Sequence, residues 1–162
     1  MKKTLAFLIA AITAGSLTLG QTHAKSKAGE PVLKQAKITF IMPEGDDKDT
    51  DTKVSVSVTT KFNNQFDLTL ASRNDFAGND TWEDTGGKEY SYDLNFSGVK
   101  LSQINTDVKA IITINPVGND TVKFGYRLIL IFDDDDPSTP PVELKQERGD
   151  ITLSQDNRTF TS

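Results

Sequence analysis

Gly118-Asn119-Asp120-Thr121-Val122-Lys123-Phe124-Gly125-Tyr126-Arg127-Leu128-Ile129-Leu130-Ile131-Phe132 is the stretch whose periodicity decides the fold. Val122, Phe124, Tyr126, Leu128, Leu130 and Phe132 stand at every second position, the side-chain period of a strand. Lys123 and Arg127 fall between them, so the first half is expected to show one face to water. Beyond Leu128 the intervening positions turn apolar too (Ile129, Ile131), and the second half is expected to be covered on both sides. No other segment carries as many large apolar side chains, each worth roughly 1.5–3 kcal/mol when fully buried. This strand is therefore expected at the centre of the core.

Working outward, residues 37–42 read as a first strand stopped by Pro43. Val54, Val56 and Val58 alternate with Lys53, Ser55, Ser57 and Thr59 in a second, half-buried one. Asn63-Asn64 turns the chain into a third strand on Phe66, Leu68 and Leu70. After a polar loop over 72–88, Tyr90, Tyr92, Leu94 and Phe96 mark a fourth. Residues 97–107 read as a connector, with Ser102 able to cap one helical turn. Residues 108–115 form a fifth strand and the opening stretch the sixth. Residues 142–146 and 150–154 read as a closing hairpin around Arg148-Gly149. Many short strands and no convincing helix predict an all-β fold, a two-sheet antiparallel β-sandwich of about eight strands. It is expected to span 37–156, after a flexible lead-in (25–36) and before a frayed C-terminus (157–162).

The first residues belong to no fold. Lys2 and Lys3 form a basic start, and 5–19 form an apolar run too short for a membrane span. Thr22-His23-Ala24 fits a small–x–small cleavage site, so a bacterial signal peptide cut after Ala24 is expected. The destination is then the periplasm or the exterior. The absence of cysteine excludes a lipoprotein anchor, disulfides and thiolate chemistry. His23 is the only histidine and leaves with the leader, which removes histidine triads and the usual zinc sites. Losing Lys2 and Lys3 takes the net charge from −5 to −7, a poor match for nucleic acid or anionic membrane. The remaining 138 residues (25–162) suffice for one domain and hold no transmembrane segment.

The acidic residues are distributed unevenly. If consecutive strands alternate up and down, the loops at 43–52, 71–89 and 116–120 share one end of the sandwich. Those loops carry Asp47, Asp49, Asp51, Asp80 and Asp120, with Asn79 and Asn119 beside them. The tetrapeptide Gly78-Asn79-Asp80-Thr81 recurs as Gly118-Asn119-Asp120-Thr121, which turn chemistry explains for one copy better than for two. Hard oxygen donors from three loops suit calcium, which takes six to eight of them at about 2.3–2.6 Å. These seven residues are the expected metal set. Solvated turns are the plainer alternative. Asp47 to Asp51 has the acid spacing of an EF-hand's first half without its later glycine and glutamate, so that motif is rejected. Asp133 to Asp136 falls at the opposite end, where a run of like charges reads as a solvated loop.

The loop Asp47-Lys48-Asp49-Thr50-Asp51 leading into Val54-Val56-Val58, and the Gly-Asn-Asp-Thr turn before a long aromatic–aliphatic strand, resemble small secreted bacterial β-sandwiches. These are similar to PLAT (lipoxygenase-homology) and related calcium-dependent lipid-binding domains. The resemblance covers residues 37–133 and implies eight antiparallel strands and a non-catalytic role binding lipid, glycan or protein. The chain departs from it at Val122, where an aromatic is expected, and in the aspartate run after Phe132.

An enzyme is not expected: a pair of carboxylates is inevitable among 23 acids and so specifies nothing. The expected function is a secreted binding module with calcium at one pole. Trp82 and Phe76 are the expected ligand-binding aromatics there, unless Trp82 folds back to plug the open end. The alternative is a structural or assembly subunit, of coat or adhesin type, pairing through an edge strand.

Overall fold

Strand β7 (Thr121–Asp133) runs through the middle of its sheet, between β1 (Val32–Glu44) and β8 (Val142–Ser154). The computed structural model describes residues 29–44, 48–62, 65–83, 85–104, 107–118 and 120–162. The expected signal peptide, and Asp47 and Asn119 of the expected metal set, lie outside them. With β4 (Thr85–Asp93) the first sheet has the order β4-β1-β7-β8. The second has the order β5-β3-β2-β6-β9, from β2 (Lys53–Phe62), β3 (Phe66–Phe76), β5 (Asn95–Phe96), β6 (Lys109–Asn115) and β9 (Thr159–Thr161). Every pairing is antiparallel. The described residues form a two-sheet β-sandwich of nine strands. Among the described residues no helix is long and apolar enough to cross a membrane.

Period two places the core. Val122, Phe124, Tyr126, Leu128, Leu130 and Phe132 are all buried, and they meet Val54, Val56, Val58, Ala110, Ile112 and Ile114 of the other sheet in one cluster. Phe40 sits at the centre of the aromatic end of that cluster, 5.3 Å from Phe124 and 4.6 Å from Trp82 between ring centres. Ile129 and Ile131 correct the expectation of cover on both sides, since they are only half-buried, on the outer face. The register puts Lys37 and Lys145 on either side of Ile129, and Gln35 and Glu143 beside Ile131. Long side chains lying along the sheet can shield such residues without a further layer.

Residues 142–154 form one strand, not a hairpin. Arg148 is opposite Tyr126 while Ile151 is opposite Phe124, so Gly149 and Asp150 together face Gly125, one extra residue in a bulge. Asp150 takes φ 56°, and the Arg148 carbonyl comes down over Gly125, where a Cβ would stand 2.9 Å from it. Glycine at 125 makes that approach feasible. The expected frayed end instead supplies β9, which pairs Thr159 to Thr161 along β6. The lead-in likewise gives its last residues to β1, from Val32. Ser102 caps nothing: it lies within a single 3-10 turn (Leu101–Gln103) and its hydroxyl donates to Glu30.

The chain crosses between sheets at Leu94, a buried residue whose N–H donates to the Ala36 carbonyl at 2.8 Å. Before it β4 pairs with β1, and after it β5 pairs with β3. β4 and β5 run in the same direction and act as one strand that changes sheets. The up–down count is therefore preserved, and the loops after β1, β3 and β6 meet at one pole.

Candidate functional site

The three loops are tied together by backbone first. Lys48 N–H donates to the Trp82 carbonyl at 3.0 Å and Trp82 N–H returns to Lys48 at 3.3 Å, an isolated bridge between the first loop and the second. A turn from Asp49 to Thr52 follows, closed by Thr52 N–H to the Asp49 carbonyl at 3.2 Å. Thr52 is buried, and its hydroxyl donates to the Asp120 carboxylate of the third loop.

At the middle of this arrangement lies the ammonium of Lys48, a residue with no exposed surface. Its Nζ donates to the carbonyls of Asp49 at 2.6 Å and Thr52 at 2.9 Å. It also lies 5.5 Å from the centre of the Trp82 ring, within reach of a cation–π attraction. Lysine is almost never fully buried without partners. Here burial pushes the ammonium below the usual lysine range, and Asp120, Asp80, Asp51 and Asp49 act in the opposite direction without cancelling it. Four of the seven expected metal ligands are thus near enough for their charge to favour the ammonium, while its hydrogen bonds go to backbone carbonyls. Both copies of the repeated Gly-Asn-Asp-Thr contribute, through Asp80 and Asp120.

The aromatic residues seal the pole from within. Trp82 and Phe76, expected to face a ligand, are 0% and 5% exposed. Trp82 stacks on Phe40 and lies 5.8 Å from Tyr90. Its indole N–H has an internal acceptor, the Tyr92 hydroxyl at 2.9 Å, and Tyr92 in turn donates to Asp80 at 2.8 Å. Burial and the bond to Asp80 raise the Tyr92 phenol above its ordinary range. With its one polar atom satisfied inside, Trp82 is the plug of the open end and presents no ring outward. Phe76 packs 4.8 Å from Tyr92, beneath the Arg73 guanidinium at 5.1 Å.

The remaining expected ligands are placed differently. Asn79 is exposed in the turn that Asp80 N–H closes on the Ala77 carbonyl. Asp49, Asp51 and Asp80 keep water contact, and Asp120 is half-buried. Among the described residues no group of three or more acidic side chains is gathered closely enough to hold a metal ion. At the opposite end, the aspartates of 133–136 are structured by their own turns. Asp133 accepts from Asp135 N–H, Asp134 from Asp136 N–H, and Asp136 from Ser138. Asp135 also pairs with Lys34 at 2.7 Å.

No family model, no curated protein and no solved structure matches this chain. Lys48, Thr52 and Tyr92 are the pole residues that the sequence pattern did not single out. The signal for Lys48 was its position as the one cation in a loop of five acids.

Proposed function

We propose that this is an exported, non-catalytic binding module whose acidic pole is closed by its own lysine rather than by calcium. The observation that carries this reading is the Lys48 ammonium, buried against Trp82 with four aspartates near enough for their charge to favour it. A calcium ion would bring two positive charges to a place that one already fills. It would also compete with Lys48 for the Asp49 and Thr52 carbonyls. The pole works as a clamp that fixes three loops, which leaves the sheet faces and strand edges as contact surfaces. The leader pattern of residues 1–24 supports export, and the resemblance to PLAT-type sandwiches supports lipid, glycan or protein as the ligand class.

Thermal melting in EDTA and in millimolar calcium tests the reading. The expected result is the same midpoint in both. A rise of several degrees in calcium would restore a metal at the pole.

A second reading, an assembly subunit, is favoured by β8. This strand is 13 residues long and stands at the edge of its sheet, with β7 on one side and no strand of the described chain on the other.

A further inference from the structure

We propose that β8 pairs antiparallel with β8 of a second copy, about a two-fold axis at Leu144. This rests on the assembly reading and adds to it the partner and the register. An open edge presents unpaired N–H and C=O groups, and proteins that avoid pairing blunt it with short strands, like charges or bulges. On β8 the bulge at Gly149 and Asp150 interrupts only the far part, leaving residues 142–147 regular. Val142 is 37% exposed at the start of this segment, and Leu144 is half-buried, on the side facing the core.

The charges on the outer face choose the register. Glu143, Lys145 and Glu147 alternate there, each exposed. In an antiparallel pair with two-fold symmetry, residues directly opposite have a constant sum of numbers, and both must lie on the same face. An axis at Lys145 sets lysine against lysine and Glu143 against Glu147, which like-charge repulsion disfavours. An axis at Gln146 sets Lys145 against Glu147, but carries the pairing into the bulge, where Asp150 has left the extended conformation. Within one copy Glu143 already pairs with Lys145 at 2.8 Å and Arg127 with Glu147 at 2.6 Å, so the bulge and not prior pairing decides against that axis. An axis at Leu144 sets Glu143 against Lys145 twice, uses only the regular segment, and brings the two Leu144 side chains together. The partner's Arg148 then falls opposite Pro140, beside the aspartate-rich turns that precede β8.

The result would be a continuous eight-stranded sheet, and an isologous contact that closes at two copies. Small edge contacts of this kind are weak, so association is expected at roughly micromolar concentrations and above.

Sedimentation of the protein, expressed from its full-length sequence and purified at up to about 100 μM, is the test. A reversible monomer–dimer equilibrium is expected, weakened at least tenfold in both Glu143→Lys and Lys145→Glu. Mixing those two variants should restore dimers, because each then supplies the charge the other lacks. That restoration also shows that both fold. The chain has no cysteine of its own. Leu144→Cys should therefore oxidise to a disulfide dimer while Gln146→Cys should not. If the wild type stays monomeric throughout, this proposal and the assembly reading both fail. If it dimerises but Glu143→Lys has no effect, or only Gln146→Cys cross-links, assembly stands and the Leu144 axis is wrong.

Discussion

Lys48 and Trp82 are joined twice, by a pair of backbone hydrogen bonds and by the ammonium lying 5.5 Å from the ring centre. The first bond pair fixes where the two loops cross, and the ring then forms one wall around the charge. Neither residue would be stable in this position alone. The indole needs a polar partner for its N–H, and the ammonium needs oxygen acceptors and negative charge. The pole supplies Tyr92 to one and the Asp49 and Thr52 carbonyls to the other.

Lys48→Met tests this directly. It keeps the volume but leaves Asp49, Asp51, Asp80 and Asp120 without their common cation. Leaving a buried acceptor without its donor costs roughly 1–3 kcal/mol, and a loss of that size is expected here because Nζ supplies both the Asp49 and the Thr52 carbonyls. Denaturant unfolding measures the loss. A change below about 0.5 kcal/mol would mean that the lysine is incidental.

Tyr92 gives a pH signature. Its phenol is raised in the folded state, so the proton stays on longer there than in the unfolded chain. The contribution is fully present below the ordinary phenol pKa of about 10 and is lost as the pH climbs through the folded value. Stability should fall above about pH 10 more steeply in the wild type than in Tyr92→Phe. At neutral pH the variant should be weaker by about 1–3 kcal/mol, because Trp82 and Asp80 each lose a partner. Tyr126, raised by burial, keeps part of the alkaline loss in both proteins.

Two neighbours in β7 separate inside from outside. Leu128→Ala should cost roughly 2–5 kcal/mol, as for an aliphatic deletion in a packed core. Ile129→Ala, on the half-exposed face, should cost clearly less. Chemical denaturation of both variants is the check, and equal losses would break the period-two assignment.

Gly125→Ala should destabilise by roughly 1–3 kcal/mol, the range for overpacking, since its Cβ would meet the Arg148 carbonyl. Faster amide exchange should appear on both sides of the bulge in β8. Unchanged exchange there would separate the glycine from the bulge.

The fold was legible where side chains alternate. Val122 to Phe132 and Val54 to Val58 report their faces directly, and the up–down count held because the sheet change at Leu94 keeps the strand direction. What failed was local. Nothing in Arg148-Gly149-Asp150 distinguishes a bulge from a turn, because both need a backbone that leaves the extended region. β9 was hidden because three residues are too few to show a period. At the pole, the sequence located the loops and their acids, while the burial of Lys48 among them depends on a loop crossing that no local pattern reports. Trp82 was ambiguous for a similar reason, since its exposure depends on whether Tyr92 lies near enough to accept its N–H.

The most direct measurement is nuclear magnetic resonance of the lysine ammonium groups, titrated with pH and then with calcium. Lys48 is expected to show slowly exchanging Nζ protons and to titrate below the other lysines, with signals that millimolar calcium leaves in place. A Lys48 ammonium that exchanges and titrates with the surface lysines, or that is released when calcium is added, would contradict the internal cation.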